Sequence, residues 1–261
     1  MADPTQRFSS RVENYVKYRP RYPREVIATL REECGLTSSS IVADIGSGSG
    51  ALTELFLENG NRVFAVEPNW GMRKASERLL GKYAGFHSIA GRAEATSLED
   101  RSVDFAVVGQ AFHWFDVART RREFLRILKS PGWSMAVWNE REYDTTPFLL
   151  AYDQLLQRYA PEYARVKHKS AYDTGLVKFF GPGGFTERNF SIGQKMDFAG
   201  VKGRMLSSSY TPEPGHPNHE PMMAELMRIY QAHQVDGAAV FQYITRMYWG
   251  RIGADVSPNT V

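Results

Sequence analysis

The run Val42-Ala-Asp-Ile-Gly-Ser-Gly-Ser-Gly50 constrains this chain more than any other segment. A short apolar stretch, Ile41 to Ile45, is followed by alternating glycines, and Leu52, Leu55 and Phe56 then recur at helical spacing up to the stop at Gly60. That is a strand, a tight turn and a helix. Glycines so placed belong where backbone takes positive φ or lies close to a ligand, so a ligand is expected against this turn.

The alternation continues. Arg62 to Glu67 reads as a strand ending at a proline, Met72 to Leu80 as a helix with Gly81 just past its end, and Phe86 to Ala90 and Val103 to Val108 as further strands. Val117 to Lys129 is an amphipathic helix ended by Pro131-Gly132, and Trp133 to Trp138 is a fifth strand. Such a pattern predicts a mostly parallel α/β sheet covered by helices on both faces, with ligands at the carboxyl ends of the strands where the strand order reverses. Beyond residue 140, Thr146 to Tyr159 and Glu220 to His233 read as helices, Phe185 to Ile192 and Phe241 to Ile252 as strands, and 210–219 as a proline-rich loop. The late strands are expected to complete the sheet and the helices of 141–240 to form a cap. By range, 1–30 would be a segment closing over the ligand, 31–140 the binding core, and 141–261 the cap with the final strands.

Composition excludes several classes. With 261 residues and 43% hydrophobic content the chain can bury a core without staples, and its one cysteine, Cys34, forms no intramolecular disulfide or Cys-based zinc site. No apolar run reaches membrane-spanning length and the amino end lacks a secretory layout, so the expectation is a cytoplasmic protein with no membrane partner. A formal charge of +3 is too small for a nucleic-acid face. The excess sits in residues 1–24, where Arg7, Arg11, Lys17, Arg19, Arg21 and Arg24 face only Asp3 and Glu13. Such a segment suits closure over a small anionic molecule.

Two nucleotide chemistries compete for the glycine turn. Gly46-x-Gly48-x-x-Ala51 matches a dinucleotide fingerprint, and Glu67 lies 21 residues after Gly46, where a ribose-binding acid belongs. The glycines alone therefore do not decide. Asp44 would set a carboxylate near a pyrophosphate's two negative charges, which is costly in a cleft. It suits S-adenosylmethionine instead, whose ammonium and sulfonium are positive. The plain structural alternative is that Asp44 caps the turn by accepting from its amides.

Asp44-Ile-Gly-Ser-Gly-Ser-Gly50, Glu67-Pro68, Gly91-Arg-Ala-Glu94 and Gln110-Ala-Phe-His-Trp-Phe115 together resemble the class I S-adenosylmethionine-dependent methyltransferases. The branch most similar is the small-molecule one that includes ubiquinone/menaquinone-biosynthesis and trans-aconitate methyltransferases (the methyltransferase type 11 family). Phe8, Tyr15, Tyr18-Arg19-Pro20 and Tyr22-Pro23 resemble its amino-terminal signature. The resemblance implies a Rossmann-like, doubly wound sheet of seven strands with the last antiparallel. It also implies that Gly46, Ser47 and Gly48 carry the methionine part of the cofactor, that Glu67 accepts the ribose hydroxyls, and that Pro68 and Met72 flank the adenine. Ala93 and Glu94 would border the adenine edge, Gln110 and Ala111 the methionine end, and Tyr15, Tyr18 and Arg19 would close from the amino-terminal segment.

Phe112-His113-Trp114-Phe115 is the candidate substrate wall, with Tyr22 and Trp138 beside it and His113 as the candidate catalytic base. The bland alternative is a packed aromatic cluster. His168, His216, His219 and His233 are read as solvated rather than metal-binding, Met222, Met223 and Met227 as helix packing, and Arg119, Arg121, Arg122 and Arg126 as a solvated helix face. The expected reaction is methyl transfer to O, N or C of a small molecule. An NAD(P)-dependent oxidoreductase and a non-catalytic S-adenosylmethionine-binding protein stand as alternatives. Base amino methylases are disfavoured because Gln110-Ala-Phe-His replaces Asn/Asp-Pro-Pro-aromatic, and cytosine-C5 methylases because Cys34 sits in no Pro-Cys pair. The sequence is silent on oligomeric state.

Overall fold

The computed structural model describes residues 12–163 and 172–253. Seven strands form one mixed sheet: β1 (Ile41–Ile45), β2 (Arg62–Val66), β3 (Phe86–Ile89), β4 (Val103–Gly109), β5 (Leu128–Arg141), β6 (Thr186–Met196) and β7 (Ala239–Gly250). Their order is β3-β2-β1-β4-β5-β7-β6, six strands parallel and the last of the chain antiparallel. From β1 the chain builds outward to β2 and β3 on one side and then returns to add β4 and β5 on the other. The order thus reverses between β1 and β4, whose carboxyl ends flank the position where such sheets bind ligands. Asp44 pairs with Val107 across that junction, and Ile45 with Val66 on the other side.

The described helices are α1 (Val12–Tyr18), α2 (Glu25–Cys34), α3 (Ala51–Glu58), α4 (Trp70–Leu80), α5 (Val117–Ile127), α6 (Pro147–Tyr159), α7 (Tyr172–Phe180), α8 (Phe198–Leu206) and α9 (His219–His233). Their ends follow local chemistry. Asn69, Asp116, Thr146 and Asp197 cap α4, α5, α6 and α8 by accepting from the amides of Met72, Arg119, Leu149 and Gly200. Asp116→Ala should therefore cost about 1 kcal/mol, read as a lowered midpoint in urea. Among the described residues no helix is long and apolar enough to cross a membrane.

The fifth strand departs from expectation. The helix before it stops at Ile127 and the strand begins at Leu128, which pairs with Val103; pairing then resumes between Trp133 and Phe105. The intervening 129–132, containing Pro131 with no amide to donate, bulge out of register. Lys129 Nζ lies 3.0 Å from Asp104, whose other oxygen accepts from the Ile41 amide, so one carboxylate pins both the bulge and the start of β1.

Residue contacts divide the described chain into two compact units. Residues 21–138, 172–189 and 246–253 form one, with a core of Ala43, Ile45, Val66, Ala106 and Val108 from the sheet and Phe124 and Ile127 from α5. Phe179 of α7 meets Phe112 and Phe124 edge to face at 5.1 and 5.2 Å, a geometry aromatic quadrupoles favour. Residues 12–20, 139–163 and 190–245 form the other, where α6, α8 and α9 bury Leu149, Tyr152, Met205, Met222 and Leu226 against Phe241 of β7. Met222 is thus a packing residue. Two surface readings are corrected. Arg121 is buried and donates from Nε to the Phe179 carbonyl at 3.0 Å, because α5 turns that face inward. His219 is buried at the start of α9 with Nδ1 2.9 Å from the Pro212 carbonyl. His168 and Phe8 lie outside the described residues.

Candidate functional site

The glycine turn is folded by carbonyls of its own unit. The amides of Gly46 and Ser47 both donate to Val66 O at 2.8 and 3.1 Å, which folds the chain back across the end of β2. Gly46, Gly48 and Gly50 all have left-handed φ, at 70°, 57° and 92°. Their surroundings differ. A Cβ on Gly46 would stand 2.7 Å from the Ala111 Cβ and 3.2 Å from the Phe115 ring, so this glycine is required by close packing of the β1 and β4 loops. A Cβ on Gly48 would meet nothing within 4 Å, and its position has room above the backbone.

Two carboxylates stand at this turn. Asp44 is 0% exposed; Oδ2 accepts from Thr53 Oγ1 at 2.6 Å, while Oδ1 is buried with no hydrogen-bond partner. Asp44 thus turns to Thr53 in the first turn of α3 rather than to the glycine amides. Glu67 makes that contact instead, accepting from the Gly48 amide at 2.9 Å and from the Asn69 amide at 2.8 Å with different oxygens. Each carboxylate oxygen can accept a second hydrogen bond. Burial pushes the Asp44 carboxyl up to about 7, with Glu67 adding to the rise and Thr53 opposing it. Burial also raises Glu67, against the Asn69 and Gly48 amides.

An unpaired buried acceptor of this kind costs about 1–3 kcal/mol, as does the orphaned hydroxyl of Ser47 beside it. Both are answered by a ligand that donates hydrogen bonds and carries positive charge. The ammonium and ribose hydroxyls of S-adenosylmethionine fit this donor-seeking, negatively charged set. A diphosphate does not.

The remaining predicted residues divide by unit and by burial. Met72 is buried at the start of α4 and Pro68 is half-buried; Arg73 holds this corner by donating to the Glu67 and Pro68 carbonyls at 2.8 and 2.9 Å. Ala93 is buried, and Glu94 accepts from the Asp116 amide at 2.9 Å, which links its loop to the start of α5. Gln110 takes φ 59°, rare for a residue with a Cβ, while its amide donates to Val137 O within β5. Strain of that kind concentrates at functional loops.

The aromatic run after β4 splits. Phe112 belongs to the core, T-stacked on Trp138 at 6.1 Å, and Trp138 in turn meets Tyr248 at 5.8 Å. His113 and Trp114, on a 3₁₀ turn, are exposed with ring centroids 4.8 Å apart. Tyr22 is buried with its hydroxyl against Gly109. Tyr18 and Arg19 belong to the other unit: the Tyr18 ring covers Gly203 of α8, and Arg19 reaches the Ser207 carbonyl at 3.4 Å. The Tyr15 side chain lies outside the described residues. Thr53, Asn69 and Arg73 take part in the site without having been singled out from sequence. Only Asn69 carried a local signal, as the residue preceding a helical run.

A family model described as a methyltransferase domain matches residues 43–136, which hold most of β1, all of β2 to β4 and the first part of β5, together with the glycine turn, Glu67, Ala93, Glu94 and the run 110–115. Residues 43–136 are thus similar to that methyltransferase domain family. An uncharacterised methyltransferase of Schizosaccharomyces pombe is 31% identical over 152 residues, 58% of this chain and 59% of that protein. One of Mycobacterium bovis is 37% identical over 135 residues, 52% and 53% respectively. The chain thus spans little more than half the length of these relatives. Among solved structures, a candidate type II methyltransferase from Anaeromyxobacter dehalogenans superposes with a TM-score of 0.62 at 22% identity, covering 90% of this chain and 98% of that one. A candidate methyltransferase from Bacillus halodurans gives 0.53 at 17%, covering 88% and 100%. At those identities the likeness concerns the fold. Within residues 43–136 the two buried carboxylates, Asp44 and Glu67, stand at the carboxyl ends of β1 and β2, beside the strand-order reversal.

Proposed function

We propose that the methyltransferase domain binds S-adenosylmethionine over the Gly46–Gly50 turn and directs its methyl group to a nucleophilic O, N or C of a small molecule. The observation that carries this is the buried, unpaired Oδ1 of Asp44 beside Glu67. When bound, the cofactor supplies a methyl group already activated on a sulfonium. Asp44 then accepts from the ammonium, the spare lone pairs of Glu67 from the ribose hydroxyls, and Pro68 with Met72 shields the base from water. Ala93 and Glu94 border the base, and Gln110 and Ala111 the methionine end. Because alignment and exclusion of water can supply most of the rate, His113 with Trp114 serves first to place the acceptor. His113 acts as a base only for acceptors that must lose a proton.

The test is S-adenosylhomocysteine binding by calorimetry, with NADH as the competitor hypothesis, followed by transfer of labelled methyl across an acceptor panel. The homocysteine nucleoside should bind and NADH should not; the reverse would overturn the assignment. Affinity should also depend on pH with a definite sign. A cation favours ionised Asp44, whose carboxyl titrates near 7 in the free protein. Below that pH each binding event must expel a proton, so affinity should climb about tenfold per pH unit up to about pH 7 and then level. A profile flat from pH 5.5 to 8 would exclude Asp44 as the ammonium's partner.

A further inference from the structure

The unit built from 139–163 and 190–245 contains a second charged cluster that methyl transfer does not use. Arg204 of α8 is only 6% exposed. Its Nε donates to the Tyr243 hydroxyl at 3.0 Å and its Nη1 to the Ser208 hydroxyl at 3.1 Å, both neutral partners. Among the described residues no carboxylate lies within ion-pair distance of it, and its hydrogen bonds to them run from Nε and Nη1, leaving Nη2 to a further acceptor. Arg141 of β5 lies near enough to feel its charge. That second guanidinium is also buried, set over the Tyr152 ring at 4.9 Å, and it already shares the single carboxylate of Asp153 with Tyr163.

Among the described residues Asp153 therefore answers Arg141, and no carboxylate answers Arg204. A buried, uncompensated charge is among the costliest arrangements a fold can keep. Hydroxyls and tyrosine faces soften the cost without cancelling it.

We infer that Arg204 Nη2 is the anchor of a binding site for an organic monocarboxylate. The two N–H groups of Nη2 suit a planar acceptor, and guanidinium recognises carboxylates with directed, charge-assisted hydrogen bonds. One negative charge restores neutrality, whereas inorganic phosphate, largely dianionic above pH 7, would overshoot it. The Tyr152 ring beside Arg141 and the Tyr243 ring beside Arg204, with centroids 4.9 and 5.9 Å from the guanidinium carbons, suit an apolar or aromatic body on the ligand. The inference does not rest on the methyltransferase reading, since every residue named lies in the other unit.

The probes are benzoate, phenylacetate and hexanoate, compared with chloride and phosphate at equal ionic strength and pH 7.5 without cofactor. At least one carboxylate should raise the melting temperature by several degrees at a concentration well above its Kd. Arg204→Gln should abolish that rise while keeping the stabilisation by S-adenosylhomocysteine, and Arg204→Lys should lose about tenfold in carboxylate affinity. No response to any carboxylate beyond chloride, a response to phosphate alone, or a rise that survives in R204Q would overturn the site. Should R204Q not fold, wild-type crystals soaked with 4-bromobenzoate decide it: the carboxylate is expected on Arg204, and bromine signal elsewhere or nowhere refutes it. Loss of the S-adenosylhomocysteine response in the wild type would instead overturn the cofactor assignment and leave the carboxylate result standing.

Discussion

Asp44→Asn should weaken S-adenosylmethionine binding by about 30-fold to 1,000-fold at pH 8 while making the ligand-free protein more stable. The first effect follows from removing one partner of a buried, charge-assisted contact, which costs about 2–5 kcal/mol. The second follows from linkage. The folded-state pKa of Asp44, about 7, lies above the ordinary 3.8, so stability associated with the protonated group is fully present below 3.8 and is lost as pH rises through about 7. At pH 8 the wild type carries the whole penalty, about 4 kcal/mol at 1.36 per unit of pKa. Asparagine never ionises and keeps an oxygen for the Thr53 hydroxyl, though its amide group in place of Oδ1 returns part of the gain. Melting curves of the two proteins should therefore coincide near pH 4 and separate towards pH 8, with the variant higher. An asparagine protein that binds the cofactor normally, or melts lower than wild type at pH 8, would refute the assignment of Asp44.

Gly46→Ala should cost about 2–4 kcal/mol, combining left-handed strain with the 2.7 Å approach to the Ala111 Cβ. In a chain of this size that is a fall of roughly 5–15 °C in melting temperature. Gly48→Ala is the informative partner. It carries the strain but meets no neighbour, so about 1–2 kcal/mol is expected. Its methyl group would enter the space left for the cofactor, and its affinity loss should exceed its stability loss. Equal melting temperatures for the two variants would show that packing against Ala111 does not dictate the glycine at 46.

What the sequence revealed of this molecule was local in origin. The strand, turn and helix from Ile41 to Glu58 rest on neighbours within one or two helical turns, and apolar spacing plus glycine was enough to read them. The seven-stranded sheet likewise followed from alternation and resemblance. The start of β5 at Leu128 did not, because a bulge anchored by Asp104 depends on a strand 25 residues earlier. Helices α1, α2, α7 and α8 also went unread, since their packing faces are completed by distant residues. The same limit explains the individual misses. Arg121 looks like its exposed neighbours until Phe179 arrives from α7, and Arg204 looks ordinary until Tyr243 does from β7. In the candidate site, residue types at Asp44 and Glu67 were informative, but which of them grips the turn was a question of geometry. Glu67 holds Gly48, while Asp44 keeps an oxygen in reserve.

The Glu67 side chain has a consequence for engineering. With one oxygen on the Gly48 amide and the other on the Asn69 amide, it rivets the segment after β1 to the segment after β2. Neither can be transplanted from a relative by itself without leaving a stranded acid or two stranded amides. Grafting experiments on this scaffold should treat residues 44–50 and 67–72 as a single cassette, exchanged together or not at all.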